Sequence, residues 1–562
     1  MDAISAKAIR DLDQTRLVHY EGDSQAEVTD VYSTMYTRLK GLQEIAEYKV
    51  KGDKPHVMCE YGHAMGNGPG GLKAYQDMYR SHSRLQGGFI WEWYDHGIYT
   101  EEEGHTCYKY GGNFGDFPTN GNFCIDGMLM PDRTPSPALL EYKQVISPIE
   151  VQRVEGKNNE LILTNWYDFL SLSHLYIKWW ISGNEETVEK GLIHELDAAP
   201  GGEQRVVIPY TTFMPQANTD YYLNVSVCYK EATAFAEKDY EISRTQFALQ
   251  EHMAVLERRP EGDKLTAEES GGILRIRNGK ICVAFHTVFG KMISVEIDGK
   301  SYLTDGPKMT VYRPTIDNDM YKKDDWMNKY FIQKSSEQLE WFSYKLSDEK
   351  AVVTMQKYFG CLNQSWGYVA SYEYTVYPCG QVKVHLDART VQKGKLEPAF
   401  LPRLGVVLKA DKSLWLGRGP GENYEDTLTA CPVGMYRSTV DGMGTNYVFP
   451  QENGHREAVR WFSIGDGKNS MLCTMEAPYG INLSNYTDEM IEKAQHPWQL
   501  KKAEDVTIHI DYRQSGVGSN SCGEEQLEEY KVKRQDFVMS FTLQAVQAGA
   551  EVNAACKKYH DD

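Results

Sequence analysis

Residues 54–67 read KPHVMCEYGHAMGN. They place one carboxylate, Glu60, at the end of a short apolar run (His56, Val57, Met58, Cys59), with His63 three residues on and a glycine-rich exit. An acid at the C-terminal end of a buried strand, where a loop begins, is the position from which α/β barrels do their chemistry. There it serves as nucleophile or general base; the competing reading is a structural acid paired with a barrel Arg or Lys. Glu-x-x-His also occurs as a di-metal motif on bundle helices, but the flanks here read as strand and loop. Tyr36 ends the run VYSTMY, from where its hydroxyl could reach Glu60 and tune its charge, the alternative being a core tyrosine. The segment GGFIWEWYDHGI adds Trp91, Glu92, Trp93, Asp95 and His96. Strand alternation puts Trp91 and Trp93 on one face and Glu92 on the other, so packed tryptophan competes with an aromatic platform beside the acid.

The elements that must hold these residues read as βα units over residues 1–149. Strand patterns fall at 17–22, 28–36, 56–61 and 87–93. Helical spacing of Leu72, Tyr75, Met78 and Tyr79 predicts a helix over 72–83. Four such strands are half of an eight-stranded barrel, and the chain opens within a helical pattern with no strand before it. Half a barrel has open sheet edges and an exposed core face, so the expectation is a second half supplied by another chain, or a fragment. Over 150–249 the pattern turns to period-2 strands (ELILTNWYDF, HLYIKWWISGN, QRVVIPY, YYLNVSVCYK), about the size of one immunoglobulin-like sandwich. A charged stretch at 250–264 reads as a linker. From there to residue 562, strands such as ILRIRNGKICVAFH, SYEYTVYPCGQVKVHLDA and DVTIHIDYR continue without a long helix, predicting a large two-sheet β-domain.

Bulk properties narrow the classes. A chain of 562 residues exceeds one core. Its net charge of -19 argues against nucleic acid, which wants basic patches. No apolar run reaches membrane-span length. Eleven cysteines lie scattered without metal-like spacing and read as reduced thiols of a cytoplasmic protein. The 37 Tyr and 11 Trp suit either sugar-stacking surfaces or β-rich packing. The loop 110–127 carries Asp116 and Asp126 without EF-hand spacing. The glycine runs NGPGG (67–71) and GRGPGEN (417–423) lack the lysine context of a phosphate loop.

Taken in series, CEYGHAMGN, RLQGGFIWEWYDHGI, YGGNFGDFP, NFCIDGMLMPDRTPSPAL, GRGPGENYEDTLTA and FPQENGHREAVRW resemble the β-galactosidases of glycoside hydrolase family 2, collinearly and over essentially the whole chain. The resemblance implies the second half of a TIM barrel, an immunoglobulin-like β-sandwich and a large C-terminal β-sandwich. That is a multidomain α/β plus all-β chain with boundaries at 1–149, 150–249 and 250–562. It implies hydrolysis of terminal β-D-galactosides such as lactose, with Glu60 as nucleophile, Tyr36 beside it and Met35 preceding. It further implies His63 on the galactose hydroxyls, Trp91 as galactose platform, and a sodium site at Phe123 and Asp126 that touches the sugar. β-Glucuronidase, of the same family, is the weaker enzyme alternative.

Departures accompany the match. Carboxylate-driven glycoside cleavage uses two acids, yet the family's GNESG-like acid/base motif does not occur here and would fall just before Met1. The family's magnesium ligands fall upstream with it. By this reading the chain alone is incomplete or inactive, and its partner is a complementary N-terminal segment. The rival reading is a non-catalytic fragment or carbohydrate-binding assembly module. The family tends to form homo-oligomers. Thr507, in DVTIHID, aligns where some relatives carry an active-site tryptophan.

Overall fold

A computed structural model describes residues 3–49, 52–102, 104–183, 186–211, 219–251, 262–410, 413–465 and 469–547. Its N-terminal part comprises α1 (Ala3–Leu12), β1 (Tyr32–Met35), α2 (Leu39–Ala46), β2 (His56–Tyr61), α3 (Leu72–Ser81), β3 (Leu85–Ile90) and α4 (Pro137–Val145). The three strands form one parallel sheet with β2 in the middle. Parallel neighbours require a crossover, which α2 and α3 provide. Leu42 and Ile45 of α2 and Leu72, Tyr75 and Tyr79 of α3 bury with Met58, Tyr61 and Leu85 of the strands. This is part of an α/β barrel, with Met35 and Phe89 exposed on its two edge strands.

Three parallel strands replace the four expected. Residues 17–22 form a loop: Asp30 accepts the Val18 N–H at 2.8 Å, and Asp23 accepts the N–H groups of Val28 and Thr29 at 2.9 Å each. Aspartate side chains thereby satisfy backbone donors that a ladder would otherwise use. The run 28–36 is strand only over Tyr32–Met35, and the run 87–93 stops at Ile90.

The middle of the chain packs a three-stranded antiparallel sheet (Ile149–Arg153, Glu160–Asn165, Glu203–Val207) on a four-stranded one (Leu175–Gly183, Glu186–Ile193, Tyr221–Tyr229, Glu241–Gln250). Alternate residues Leu161, Leu163, Ile177, Trp179, Leu223 and Val225 fill the space between them, as a period-2 sandwich dictates. The linker expected at 250–264 lies mostly outside the described residues. Beyond it, a five-stranded sheet over Thr266–Leu303 and a twelve-stranded sheet share one core that includes Phe285, Trp366, Tyr374, Ile508 and Phe541. No described helix is long and apolar enough to cross a membrane.

Candidate active site

A register shift between Thr34 and Met35 brings Met35 opposite Glu60 at the C-terminal ends of β1 and β2. Tyr36 follows with φ 47°, a left-handed backbone that bulky side chains rarely adopt. Its N–H donates to the Glu60 carbonyl at 2.8 Å, and its phenol hydrogen-bonds the Glu60 carboxylate. Burial, and then the charge of Glu60, raises the Tyr36 phenol far above its usual range. It therefore remains a neutral O–H donor to that carboxylate.

Past Glu60 the chain turns at Gly62 and buries His63. His63 Nε2 lies 3.3 Å from Asp126 Oδ2, and Nδ1 lies 2.8 Å from Ser521 Oγ. The ring sits against Phe123 (centroids 5.3 Å apart) and Tyr36 (6.1 Å). The exits of β2 and β3 are joined: Trp91 N–H donates to the Tyr61 carbonyl at 3.1 Å, and Ala64 N–H to the Trp91 carbonyl at 2.8 Å. This fixes Trp91, about a third exposed, so that its indole Nε1–H donates to Asp126 Oδ2 at 3.1 Å. Glu92 N–H donates to the Asp126 carbonyl at 3.0 Å.

Glu92 does not lie opposite Trp91. The strand ends at Ile90, so alternation no longer governs, and both side chains reach Asp126. Burial pushes the Glu92 carboxyl up to about 7, helped by its hydrogen bond to Asp126 and the charges of Asp126 and Glu60. Burial also pushes Asp126 upward, but His63, Glu92 and Trp91 together hold it below the ordinary carboxylate range. Of the two neighbouring acids, Glu92 therefore holds a proton more readily than Asp126. Asp126 Oδ1 is buried and receives no N–H or hydroxyl donor. An under-donated carboxylate oxygen of this kind suits a hard cation, which takes oxygen ligands.

Three further residues were not legible in the sequence, because they arrive from the far end of the chain. Ser521, Cys522 and Glu524 sit on the loop 515–525 of the C-terminal β-domain. Ser521 meets His63, as above. Glu524 Oε2 accepts the Gly62 N–H at 3.1 Å. Cys522 is exposed and adds to the electrostatic surroundings of Tyr36, and Glu60 to those of Cys522. Thr507 is not at this site. It lies buried in the strand Val506–Gln514, paired with Lys409 and Ser484.

The glycine-rich exit has a packing role. A Cβ on Gly66 would collide with Gln451, and one on Gly70 with Asp426. Gly70 N–H donates to the Gly518 carbonyl at 2.8 Å and Gly71 N–H to the Asp426 carbonyl at 2.9 Å. Asp426, from the motif GENYEDTLTA, accepts Val517 and Gly518 N–H groups at 2.9 and 2.8 Å. The glycine-rich segment 66–71 and Asp426 thus join the barrel part to the β-domain.

Three family models match in order: the glycosyl hydrolases family 2 TIM barrel domain over residues 2–151, β-galactosidase domain 4 over 161–250, and the β-galactosidase small chain over 277–543. This chain belongs to glycosyl hydrolase family 2, with β-galactosidase-like domains throughout. The family 2 chain is 30% identical to a β-galactosidase of Kluyveromyces lactis, covering 96% of this chain and 52% of that protein. It is 29% identical to a β-galactosidase of Priestia megaterium (91% and 49%) and 27% identical to one of Staphylococcus xylosus (96% and 55%). The family 2 chain therefore spans about half the length of the curated relatives it matches.

Proposed function

We propose that this chain carries the nucleophile half of a retaining β-galactosidase site. The observation that supports it most is the convergence of Tyr36, Glu60, His63, Trp91 and Asp126 at one end of the parallel sheet. Glu60 attacks the anomeric carbon and forms a glycosyl-enzyme, which water then hydrolyses. The Tyr36 hydroxyl steadies the carboxylate before attack and after its release. Trp91 offers its ring to the sugar's C–H face, with the indole oriented by Asp126. His63 Nε2–H and the Asp126 carboxylate bind sugar hydroxyls, and Met35 lines the same strand end.

A sodium ion would be held by Phe123 and Asp126, where it would supply a Lewis-acidic contact to a sugar hydroxyl. The second carboxyl of the retaining mechanism, roughly 5–5.5 Å from the nucleophile, is assigned to the barrel half that the greater length of the relatives accommodates. Glu92 is a poor substitute, since its proton is engaged with Asp126. General acid help is worth about 10²–10⁴-fold, so the chain by itself is expected to be slow or silent on unactivated galactosides such as lactose. Its partners are a β-galactoside and the complementary N-terminal segment, in a homo-oligomer, and its location is the cytoplasm.

The test uses an activated 2-deoxy-2-fluoro-β-galactoside, whose leaving group needs no acid. Peptide mapping is expected to find the label on Glu60 and none in Glu60→Gln. A label on another residue would remove Glu60 from its role. Adding the missing barrel half separates a split enzyme, which regains turnover of an aryl β-galactoside, from a binding module, which does not. An aryl β-glucuronide serves as the control for the other family activity.

A further inference from the structure

The nucleophile loop is held from outside the barrel. Gly62 stands two residues after Glu60, and its N–H has Glu524 Oε2 as acceptor at 3.1 Å. The same oxygen accepts the Ser519 hydroxyl at 2.9 Å. Burial raises the Glu524 carboxyl, while the Ser519 and Gly62 donors pull it back. One residue further on, buried His63 has two polar neighbours. Asp126 takes part in a carboxylate pair and its Oδ2 faces Nε2, which assigns the ring proton to Nε2 in the neutral imidazole. Nδ1 then presents a lone pair, and the acidic hydrogen that meets it is the hydroxyl of buried Ser521, 2.8 Å away.

The loop bearing these groups is itself over-determined. Asn318 accepts the Ser521 N–H at 3.1 Å and donates to the Gly518 carbonyl at 2.9 Å. Ser519 and Glu524 close the loop on itself: Ser519 N–H donates to the Glu524 carbonyl at 3.1 Å, Glu524 N–H to Ser519 Oγ at 3.0 Å, and Gly523 N–H to the Ser519 carbonyl at 2.7 Å. Gly523 packs so closely that a Cβ there would stand 2.7 Å from Ser519 Oγ and 3.2 Å from His63 Cβ. The Asp426 carboxylate anchors the loop's start at Val517 and Gly518.

We propose that Ser521 and Glu524, both from the C-terminal β-domain, are positioning residues of the nucleophile site. Ser521 fixes the tautomer and ring plane of His63, and Glu524 fixes the Gly62 peptide and so the turn that aims Glu60. The inference rests on the reading of Glu60 and His63 given above, but its own readouts need no turnover.

The full chain is labelled with ¹⁵N-histidine and ¹⁵N-glycine and observed at one slightly alkaline pH. His63 is expected as a single Nε2–H form with a bare Nδ1. Ser521→Ala is expected to give a mixture of tautomers while the remaining histidines keep their shifts. Glu524→Ala is expected to speed Gly62 amide exchange roughly tenfold, the loss of one hydrogen bond. Glu524→Gln, which keeps an acceptor oxygen, is expected to restore it. An unchanged His63 tautomer in Ser521→Ala, or unchanged Gly62 exchange in Glu524→Ala, would overturn the respective assignment. A Glu524→Ala chain that unfolds globally leaves the Glu524→Gln comparison decisive: Gly62 exchange as slow as in the parent supports the role, and exchange as fast as in free peptide overturns it. Isopropyl β-thiogalactoside binding to the parent chain is measured alongside. If it fails while the tautomer responds to Ser521, the galactoside reading falls and the positioning stands.

Discussion

The buried carboxylate of Asp95 accepts the backbone N–H of Gly127 across 2.8 Å, tying the exit of β3 to the loop that carries Asp126. Burial pushes this carboxyl up to about 7 against the pull of the Gly127 N–H, with the charges of Asp126, Asp317 and Glu92 adding to the rise. A folded-state pKa above the unfolded one means the group contributes stability that is present below about pH 4 and is lost as pH climbs through about 7. Asp95→Asn keeps an acceptor for Gly127 and removes the titration. It is expected to stabilise the chain at pH 8 by up to roughly 4 kcal/mol, with the advantage fading to nothing near pH 4. Thermal unfolding of both proteins across that range checks it, and an advantage that grows toward low pH would contradict it.

Trp91→Phe keeps an aromatic face and deletes the indole N–H that Asp126 accepts at 3.1 Å. Hydrogen bonds to a charged group contribute about 1.5–3 kcal/mol, and here part of that energy orients the ring. Affinity for a thiogalactoside is expected to fall by roughly ten- to a hundredfold with little change in unfolding temperature. Calorimetric titration measures the first and a thermal scan the second. Equal affinity would mean that the ring does not face the sugar.

Gly70→Ala forces a Cβ into the Asp426 side chain and disturbs the hydrogen bond from Gly70 N–H to Gly518. Overpacking of this kind costs about 1–3 kcal/mol. Gly421 is the matched control, since a Cβ there meets nothing within 4 Å. Denaturant unfolding is expected to separate the two variants, with Gly421→Ala at parental stability.

Arg403 is buried, with Nη2 2.9 Å from Glu452 Oε1 and Nε 3.0 Å from Asp511 Oδ1. Burial works against the charged guanidinium, but the two carboxylates outweigh it and raise its pKa. Arg403→Met strands two buried acids and is expected to cost about 3–5 kcal/mol. Unfolding measured by circular dichroism in urea checks the value, and a loss below 1 kcal/mol would show that the acids find other partners.

Local pattern reached the elements whose burial is regular. The alternation in HVMCEY and the 3.6-residue spacing of Leu72, Tyr75 and Tyr79 corresponded to β2 and α3. So did period-2 runs such as Glu160–Asn165 and Val382–Gln392, where buried residues alternate with more exposed ones. Pattern failed where side chains bond to the backbone, as Asp23 and Asp30 do around residues 17–30, and where a strand stops early, as β3 does before Trp91. Glu60 was legible because a strand end shows locally. The partnership of Glu92 with Asp126 was not, since the loop joining them has no period. Ser521 and Glu524 carry no local signal at all: an ordinary serine and glutamate gain their place only through tertiary contact. Thr507 lies buried in a β-domain strand, paired with Lys409 and Ser484, where its alternation gives no hint of the loop 515–525 that reaches His63 and Gly62.

The contact between His63 and Ser521 spans 458 positions of sequence. At a translation rate of about 5–20 residues per second, the histidine emerges roughly 20–90 seconds before the serine that receives it. For that interval the His63 Nδ1 and the Gly62 N–H lack Ser521 and Glu524, and contacts of such separation form late in folding. The contacts on His63 and Gly62 are thus completed in the order of synthesis, by the loop 515–525, so a nonsense codon anywhere before residue 521 leaves both without these partners.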